Sequence, residues 1–192
     1  FFKSCIFSSS LEQPLFSKNT FSSIDNFSYI LRRLKWKYRR TVNPNNKFTV
    51  NKEQYNSYFK FTIVRNPWSR MYSQYRGVMA DAVHRQSHKI DSNLSFNQFV
   101  NNFAGKNMIR PQLWWIKNFN NVIPLDFIGK FENLHKDFQN ICKVLDLNNI
   151  VLPHELKGTG GDYKKVYNKS SIDIINHIYK EDIQYFGYSF ES

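Results

Sequence analysis

The stretch FTIVRNPWSRMYSQY, residues 61–75, decides the fold, because an apolar run passes there directly into a basic helical pattern. Tyr58–Val64 is aromatic and β-branched almost without polar alternation, which is typical of a strand buried on both faces of a parallel sheet. Asn66 and Pro67 end this run. Proline is favourable in the first turn of a helix, so a helix is predicted from about Pro67 to about Met79.

A strand that runs into a helix N-terminus can bind an anion, because unpaired backbone N–H groups and the positive end of the helix dipole meet there. Arg65 stands at the predicted strand end, and Arg70 and Ser73 lie on the first turns of the predicted helix. Arg65 can donate a planar pair of hydrogen bonds to a phosphate, and Ser73 adds a neutral hydroxyl. Ordinary surface ion pairs are the alternative, and spacing alone does not decide between them.

Composition limits the partners but does not name a reaction. The 192 residues fit one domain, and the 41% apolar share is ample for a core. The formal charge of +12 attracts polyanions, and aromatic residues among basic ones are also typical of a single-strand nucleic-acid surface. Cys5 and Cys142 are far apart without a Cys/His cluster, so no metal site or disulfide framework is predicted. No window approaches the ~20 apolar residues of a membrane span.

The N-terminal third is predicted to contain an arm and a helix. Residues 1–22 are rich in Ser without a sustained period, so we expect a weakly structured arm, followed by a single domain over 23–192. Apolar residues recur at helical spacing over 23–40, with Lys and Arg on the other faces, which predicts a basic amphipathic helix. A solvated surface helix is the favoured interpretation, and a polyanion groove is the alternative.

A second strand and helix are predicted over residues 126–147, where Asp126–Phe131 precedes an apolar stripe at helical spacing. Two strand–helix pairs favour an α/β layer fold with a parallel sheet. The other predicted elements are a loop at 80–93, a short helix capped by Ser95, a helical piece at 111–116, a mobile basic loop at 156–165, and a last helix at 170–186 that starts from a capping box of Ser170 and Asp173.

The segment VRNPWSRMYSQY resembles the V-R-[DN]-P-x-x-R-x-x-S-x-Y signature of the Golgi-type carbohydrate sulfotransferases and their bacterial relatives. The resemblance extends from about Tyr58 to Phe190, with the signature region at 58–79. It continues in order through PQLWWI, DFIGKFENLHKDFQNICKVLDL, LPHELKGTGGDYKKVY and EDIQYFGYSF. It implies a P-loop NTPase-like three-layer fold, in which helices flank a central parallel sheet.

The resemblance also implies a nucleotide site. Arg65 and Ser73 would hold the 3′-phosphate of 3′-phosphoadenosine 5′-phosphosulfate, the co-substrate whose product is adenosine 3′,5′-bisphosphate. Arg70 occupies the second basic position of the signature and belongs to the same predicted set. The family has a basic loop over the nucleotide where this chain has Lys157, Lys164 and Lys165. A solvated charge cluster is the alternative for these lysines.

Three further residues receive structural interpretations. Trp68 and Tyr75 are expected to pack against the sheet. Glu132, directly after the second strand, is interpreted as a helix N-terminal charge in preference to a ligand-orienting carboxylate.

The chain departs from the family pattern upstream of its signature. The family has a P-loop-like K-x-x-x-[ST]-[ST] turn for the 5′-phosphosulfate, whereas no glycine precedes Gly77 here and KSCIFSSSL, residues 3–11, has the wrong spacing. We expect a fragment that lacks this loop, since the chain starts with Phe, and a degenerate site is the alternative. The catalytic base is not assigned, because His84 and His88 are interpreted as exposed loop residues.

The leading hypothesis is a sulfotransferase that moves a sulfuryl group from the nucleotide to a carbohydrate hydroxyl. The first alternative is a non-catalytic module of the same fold that binds acidic glycan or nucleic acid, and the second is a single-strand nucleic-acid binder. Under the leading hypothesis no nucleic-acid partner and no metal are expected. The resemblance is compatible with the bacterial cytoplasm or the Golgi lumen and leaves the compartment open.

Overall fold

The computed structural model describes residues 56–87, 89–118, 120–147, 150–152 and 162–192. The predicted arm at 1–22 and the predicted basic helix at 23–40 lie outside these residues. Most of the predicted basic loop at 156–165 also lies outside them.

Two short strands and several helices form the described part of the chain. In chain order they are β1 (Phe61–Val64), α1 (Pro67–Ala80), α2 (Ala82–Ser87), α3 (Phe96–Phe103), α4 (Gln112–Ile116), β2 (Phe127–Lys130), α5 (Leu134–Val144), α6 (Lys169–Ile178) and α7 (Lys180–Phe186). Three 3₁₀ turns accompany them, at Asn107–Ile109, Phe131–Asn133 and Tyr163–Lys165.

The two strands are parallel neighbours, with Phe61 opposite Phe127 and Val64 opposite Lys130. Each strand leads into a helix, so two strand–helix units share a sheet, as the sequence predicted for an α/β fold. Both strands are shorter than predicted. Within the described residues the sheet has two strands, and the P-loop-like three-layer arrangement stays a prediction.

A glycine lets β2 pack closely. A Cβ on Gly129 would lie 2.6 Å from Ile63 Cδ1 on β1 and 3.1 Å from Asp137 Cβ on α5. Asp137 also accepts a hydrogen bond from the Lys130 amide at 2.6 Å, which ties α5 to the strand that precedes it. A larger residue at 129 would therefore displace the end of the Ile63 side chain and crowd Asp137 of α5.

The core lies where α1, α3 and α6 pack together. Trp68 and Met71 of α1 are each 1% exposed, and Phe99 of α3 and Ile175 of α6 are equally buried. The α3 helix starts at the predicted cap, because Ser95 and Gln98 form a reciprocal capping box. Tyr75 packs against α3 through Phe99 and donates to the Leu94 carbonyl, so it does not pack the sheet as predicted.

Three predictions of local structure are wrong: the loop, the single last helix and its capping box. The predicted loop at 80–93 contains α2, and the predicted single helix at 170–186 is two helices that meet at Tyr179. The capping box that starts α6 uses Asn168 and Ser171. Asp173 instead pairs with Lys169 one turn earlier, with 3.7 Å between Oδ2 and Nζ.

A second, smaller unit includes the described residues 56–60, 116–118 and 120–126. Within it the Lys60 amide donates to Asp126 Oδ2 at 2.7 Å, and the Asp126 amide donates to the Lys60 carbonyl at the same distance. In the described ranges, no helix has the length and apolar character needed to cross a bilayer.

Candidate anion-binding site at the end of the first strand

The backbone donors at the start of α1 are already used within the protein. The Asn66 side chain caps the helix, accepting from the amides of Trp68 at 3.0 Å and Ser69 at 3.3 Å. Pro67 has no N–H, and the Arg70 amide donates to the Asn66 carbonyl. The expectation that unpaired N–H groups bind an anion at this turn is therefore wrong. An anion here has to be held by side chains.

Two further contacts fix the turn between β1 and α1. Glu132 accepts from the Asn66 amide at 2.8 Å and from the Tyr188 hydroxyl at 3.0 Å. The Asn66 Nδ2 group donates to the carbonyls of Ser189 at 2.9 Å and Ser192 at 3.0 Å. Glu132 thus joins the turn to the segment that follows α7, a role that neither interpretation from the sequence described.

The Arg65 side chain is held by described residues at its Nε and at one face of its guanidinium. Its Nε donates to Ser69 Oγ at 3.0 Å, and its guanidinium lies 4.3 Å from the centre of the Phe131 ring. Within the described residues, neither terminal nitrogen of Arg65 has a hydrogen-bond partner. Partial burial lowers the pKa of Arg65, and the charge of Glu132 acts in the opposite direction. Arginine stays charged at neutral pH, so its two terminal nitrogens can act as a bidentate donor that no described residue uses.

Ser73 lies on the same face of α1 as Ser69, because residues four apart are neighbours on a helix. Ser73 is exposed, and its hydroxyl has no hydrogen-bond partner among the described residues. The Arg65 guanidinium contacts Ser69, so the row of Arg65, Ser69 and Ser73 offers one cation and two hydroxyls on one surface. The structure brings these two predicted residues to the same side of α1.

Arg70 is used differently from Arg65. Its Nη1 donates to the Arg110 carbonyl and its Nη2 to the Met108 carbonyl, each at 2.8 Å. Burial lowers the pKa of Arg70, and Tyr179 and Asp182 act in the opposite direction. Both terminal nitrogens thus donate to main-chain carbonyls, and these two bonds hold the guanidinium against residues 108–110. The predicted role of Arg70 in binding the nucleotide stays a prediction.

The predicted lysines are only partly described. The Lys164 ammonium contacts Glu191 Oε2 at 2.9 Å and the Glu191 carbonyl at 2.8 Å. Lys165 Nζ lies 3.9 Å from Asp162 Oδ2 and is largely exposed. The turn that carries both lysines contacts α1. Lys157 and His88 lie outside the described residues.

Sequence reasoning missed Ser69, Phe131 and Gln112. Gln112 contacts the main chain of Arg65 in both directions, accepting from its amide and donating to its carbonyl, each at 2.8 Å. Ser69 could have been found, because it lies one turn before Ser73 on the predicted helix. Gln112 is 47 residues from Arg65, and no local pattern signals such a contact.

Comparisons with known proteins agree with the resemblance seen in the sequence. The model of the sulfotransferase family matches residues 9–189, which is most of the chain. An uncharacterized protein of Archaeoglobus fulgidus is 31% identical over 109 residues, covering 56% of this chain and 79% of that protein. No solved structure matches the chain.

Proposed function

The chain belongs to the sulfotransferase family, and we propose that it moves a sulfuryl group from 3′-phosphoadenosine 5′-phosphosulfate to a carbohydrate hydroxyl. We further propose that the surface row of Arg65, Ser69 and Ser73 binds the 3′-phosphate of this nucleotide. The carbohydrate acceptor is proposed from the V-R-N-P-x-x-R-x-x-S-x-Y pattern at 64–75, which resembles that of the carbohydrate sulfotransferases.

The single observation that carries the phosphate proposal is that, among the described residues, the two terminal nitrogens of Arg65 have no hydrogen-bond partner. Ser69 fixes the Nε of Arg65, and Phe131 covers one face of its guanidinium. The side chain therefore loses little further freedom when an anion binds. The two terminal nitrogens match two oxygens of a phosphate, and the Ser73 hydroxyl can donate to a third. These donors fit a phosphate monoester, which presents three oxygens.

Each neighbouring residue has a physical role in this arrangement. Phe131 shields one face of the guanidinium from water, which strengthens its interaction with an anion. Asn66 and Glu132 hold the turn from which Arg65 projects. The bound nucleotide would supply the activated sulfuryl group, and the residues described here would orient it by its 3′-phosphate.

The test compares two nucleotides by calorimetry with the 192-residue chain. Adenosine 3′,5′-bisphosphate and adenosine 5′-monophosphate differ only in the 3′-phosphate. Charge-assisted hydrogen bonds contribute roughly 1.5–3 kcal/mol, so Arg65→Ala should weaken bisphosphate binding by about 10- to 150-fold. The affinity for the monophosphate should stay unchanged.

Lys169→Ala is the matched control, because it also removes one positive charge and its side chain is 91% exposed on α6. It should leave both affinities unchanged. No binding of the bisphosphate to the wild type would overturn the phosphate site, and equal losses for both nucleotides in Arg65→Ala would overturn the role of Arg65. Transfer is tested with sulfur-labelled donor and a panel of sugar, phenol and steroid acceptors, where label on phenols or steroids alone would overturn the carbohydrate assignment.

A further inference from the structure

The main chain of Arg65 lies just beyond the sheet. The register of β1 with β2 ends at Val64 opposite Lys130, so the ladder provides no partner for the next amide and carbonyl of β1. The Gln112 side chain takes this place, with Oε1 accepting from the Arg65 amide and Nε2 donating to the Arg65 carbonyl. The Gln112 side-chain amide thus forms the two hydrogen bonds to the Arg65 main chain that a neighbouring strand would form. Arg65 is also the residue whose terminal nitrogens have no partner among the described residues.

The backbone that carries Gln112 is fixed from the opposite side. Asp182 of α7 is 0% exposed and accepts from the amides of both Gln112 and Leu113, the latter at 2.9 Å. The Tyr179 hydroxyl donates to the Ile109 carbonyl and accepts from the Gly105 amide at 3.0 Å.

Arg70 completes the support from α1 through the carbonyls of Met108 and Arg110. The segment 105–113 is thereby held at six of its backbone groups by buried or half-buried side chains from α1, α7 and the junction before α7. Such a backbone has little freedom, so the Gln112 amide is presented to Arg65 in one position.

We propose that Gln112 is a positioning residue for the phosphate-binding arginine, fixing the Arg65 main chain so that the guanidinium meets the 3′-phosphate. This inference rests on the proposed function for its ligand but has its own structural readout. Gln112 does not touch the ligand. Its effect passes through two hydrogen bonds to Arg65, and their loss lets the strand end, and the arginine with it, adopt other orientations.

The first test removes both hydrogen bonds without adding charge. Gln112→Met has nearly the same shape, and losing two neutral hydrogen bonds should weaken binding of adenosine 3′,5′-bisphosphate by about tenfold. Binding of adenosine 5′-monophosphate should not change. In an Arg65→Ala background Gln112→Met should have no further effect, because residues that act through one another are not additive. Full additivity of the two substitutions would overturn the proposal.

The second variant restores the two hydrogen bonds to Arg65 when the pH is lowered. In Gln112→Glu the carboxylate faces the Arg65 carbonyl at neutral pH, but the neutral acid has the donor and acceptor of the native amide. Burial raises a carboxyl pKa, so the ratio of variant to wild-type affinity should recover as the pH is lowered to about 5. Among the described residues, Arg65 and Asp182 are the charged ones that contact Gln112, and wild type and variant share both. A ratio that does not change with pH would overturn the proposal.

A nucleotide-free measurement separates this inference from the proposed function. Hydrogen exchange at the Arg65 amide should be slow in the wild type and faster in Gln112→Met, with Lys169→Ala as the unchanged control. Unchanged exchange at this amide in Gln112→Met would overturn the positioning role whatever the nucleotide results. If exchange accelerates but the wild type binds no bisphosphate, Gln112 still fixes Arg65 and only the proposed function fails.

Discussion

The Asn66 side chain connects the start of α1 with the segment that follows α7. Substitutions can separate the contribution of its side-chain oxygen from that of its side-chain nitrogen. The side-chain oxygen caps the amides of Trp68 and Ser69, and the side-chain nitrogen donates to the carbonyls of Ser189 and Ser192. The residue is 1% exposed, so water cannot replace these partners without movement of the chain. Asn66→Ala removes both ends, whereas Asn66→Ser keeps an oxygen that caps the helix.

The expected magnitudes follow from these contacts. An N-cap contributes about 1 kcal/mol, and each neutral hydrogen bond contributes about 1 kcal/mol net. Asn66→Ala should therefore lower the free energy of unfolding by about 3 kcal/mol, and Asn66→Ser by about 2 kcal/mol. Urea denaturation measures both values, and Asn101→Ala on the exposed face of α3 is the control, expected within about 0.5 kcal/mol of the wild type.

Hydrogen exchange shows which end has been lost. The amides of Trp68 and Ser69 should stay protected in Asn66→Ser and lose protection in Asn66→Ala, because only the serine can accept from them. Equal stabilities for the two variants, or protected amides in Asn66→Ala, would refute the assignment of the cap to this side chain.

Three further outcomes are expected. Gly129→Ala should lower the free energy of unfolding by about 1–3 kcal/mol, because the added Cβ meets Ile63, and a stability equal to the wild type in urea would contradict this. Trp68→Phe should lower the free energy of unfolding by less than about 1.5 kcal/mol in the same assay. Within the described residues the buried indole N–H has no partner, so its removal offsets part of the lost packing. A larger loss would show that this N–H is paired. Burial raises the pKa of Tyr179 to about 12 and also raises the pKa of Tyr188. Both tyrosines therefore contribute stability that is fully present below their ordinary pKa of 10.0 and is lost as the pH rises through their folded-state pKa values. Phenolate absorbance with circular dichroism should show these tyrosines ionising together with unfolding, and ionisation near pH 10 in a folded chain would contradict it.

Local signals predicted the elements around β1 and α1 well. A β-branched run, Pro67 in a first helical turn and the capping box at Ser95 each act within a few residues, so the sequence alone contains their cause. The start of α6 shows the limit of such signals. Asn168, Ser170 and Ser171 are all acceptable near a helix start, and only the packing of the folded chain selects Asn168 as the cap.

The different hydrogen-bond partners of Arg65 and Arg70 could not be predicted from their spacing in the sequence. Arg65 and Arg70 both belong to the basic signature segment. The terminal nitrogens of Arg65 have no partner among the described residues, whereas those of Arg70 donate to two carbonyls about 40 residues further along the chain. What separates them is the path of the segment 105–113, which depends on buried Asp182 and therefore on tertiary structure. Gln112 is hidden from the sequence for the same reason.

The occupied helix N-terminus changes what kind of anion site this chain can have. In a site made of backbone N–H groups, no single side-chain substitution removes the donors, because they belong to the main chain. Here Asn66 and Glu132 use those donors, so under the proposed function the Arg65 side chain and the nearby hydroxyls bind the anion. Such a site depends on how accurately one guanidinium is aimed. This dependence gives a physical reason why three contacts fix Arg65. Gln112 pairs with its main chain, Ser69 accepts from its Nε, and Phe131 covers one face of its guanidinium.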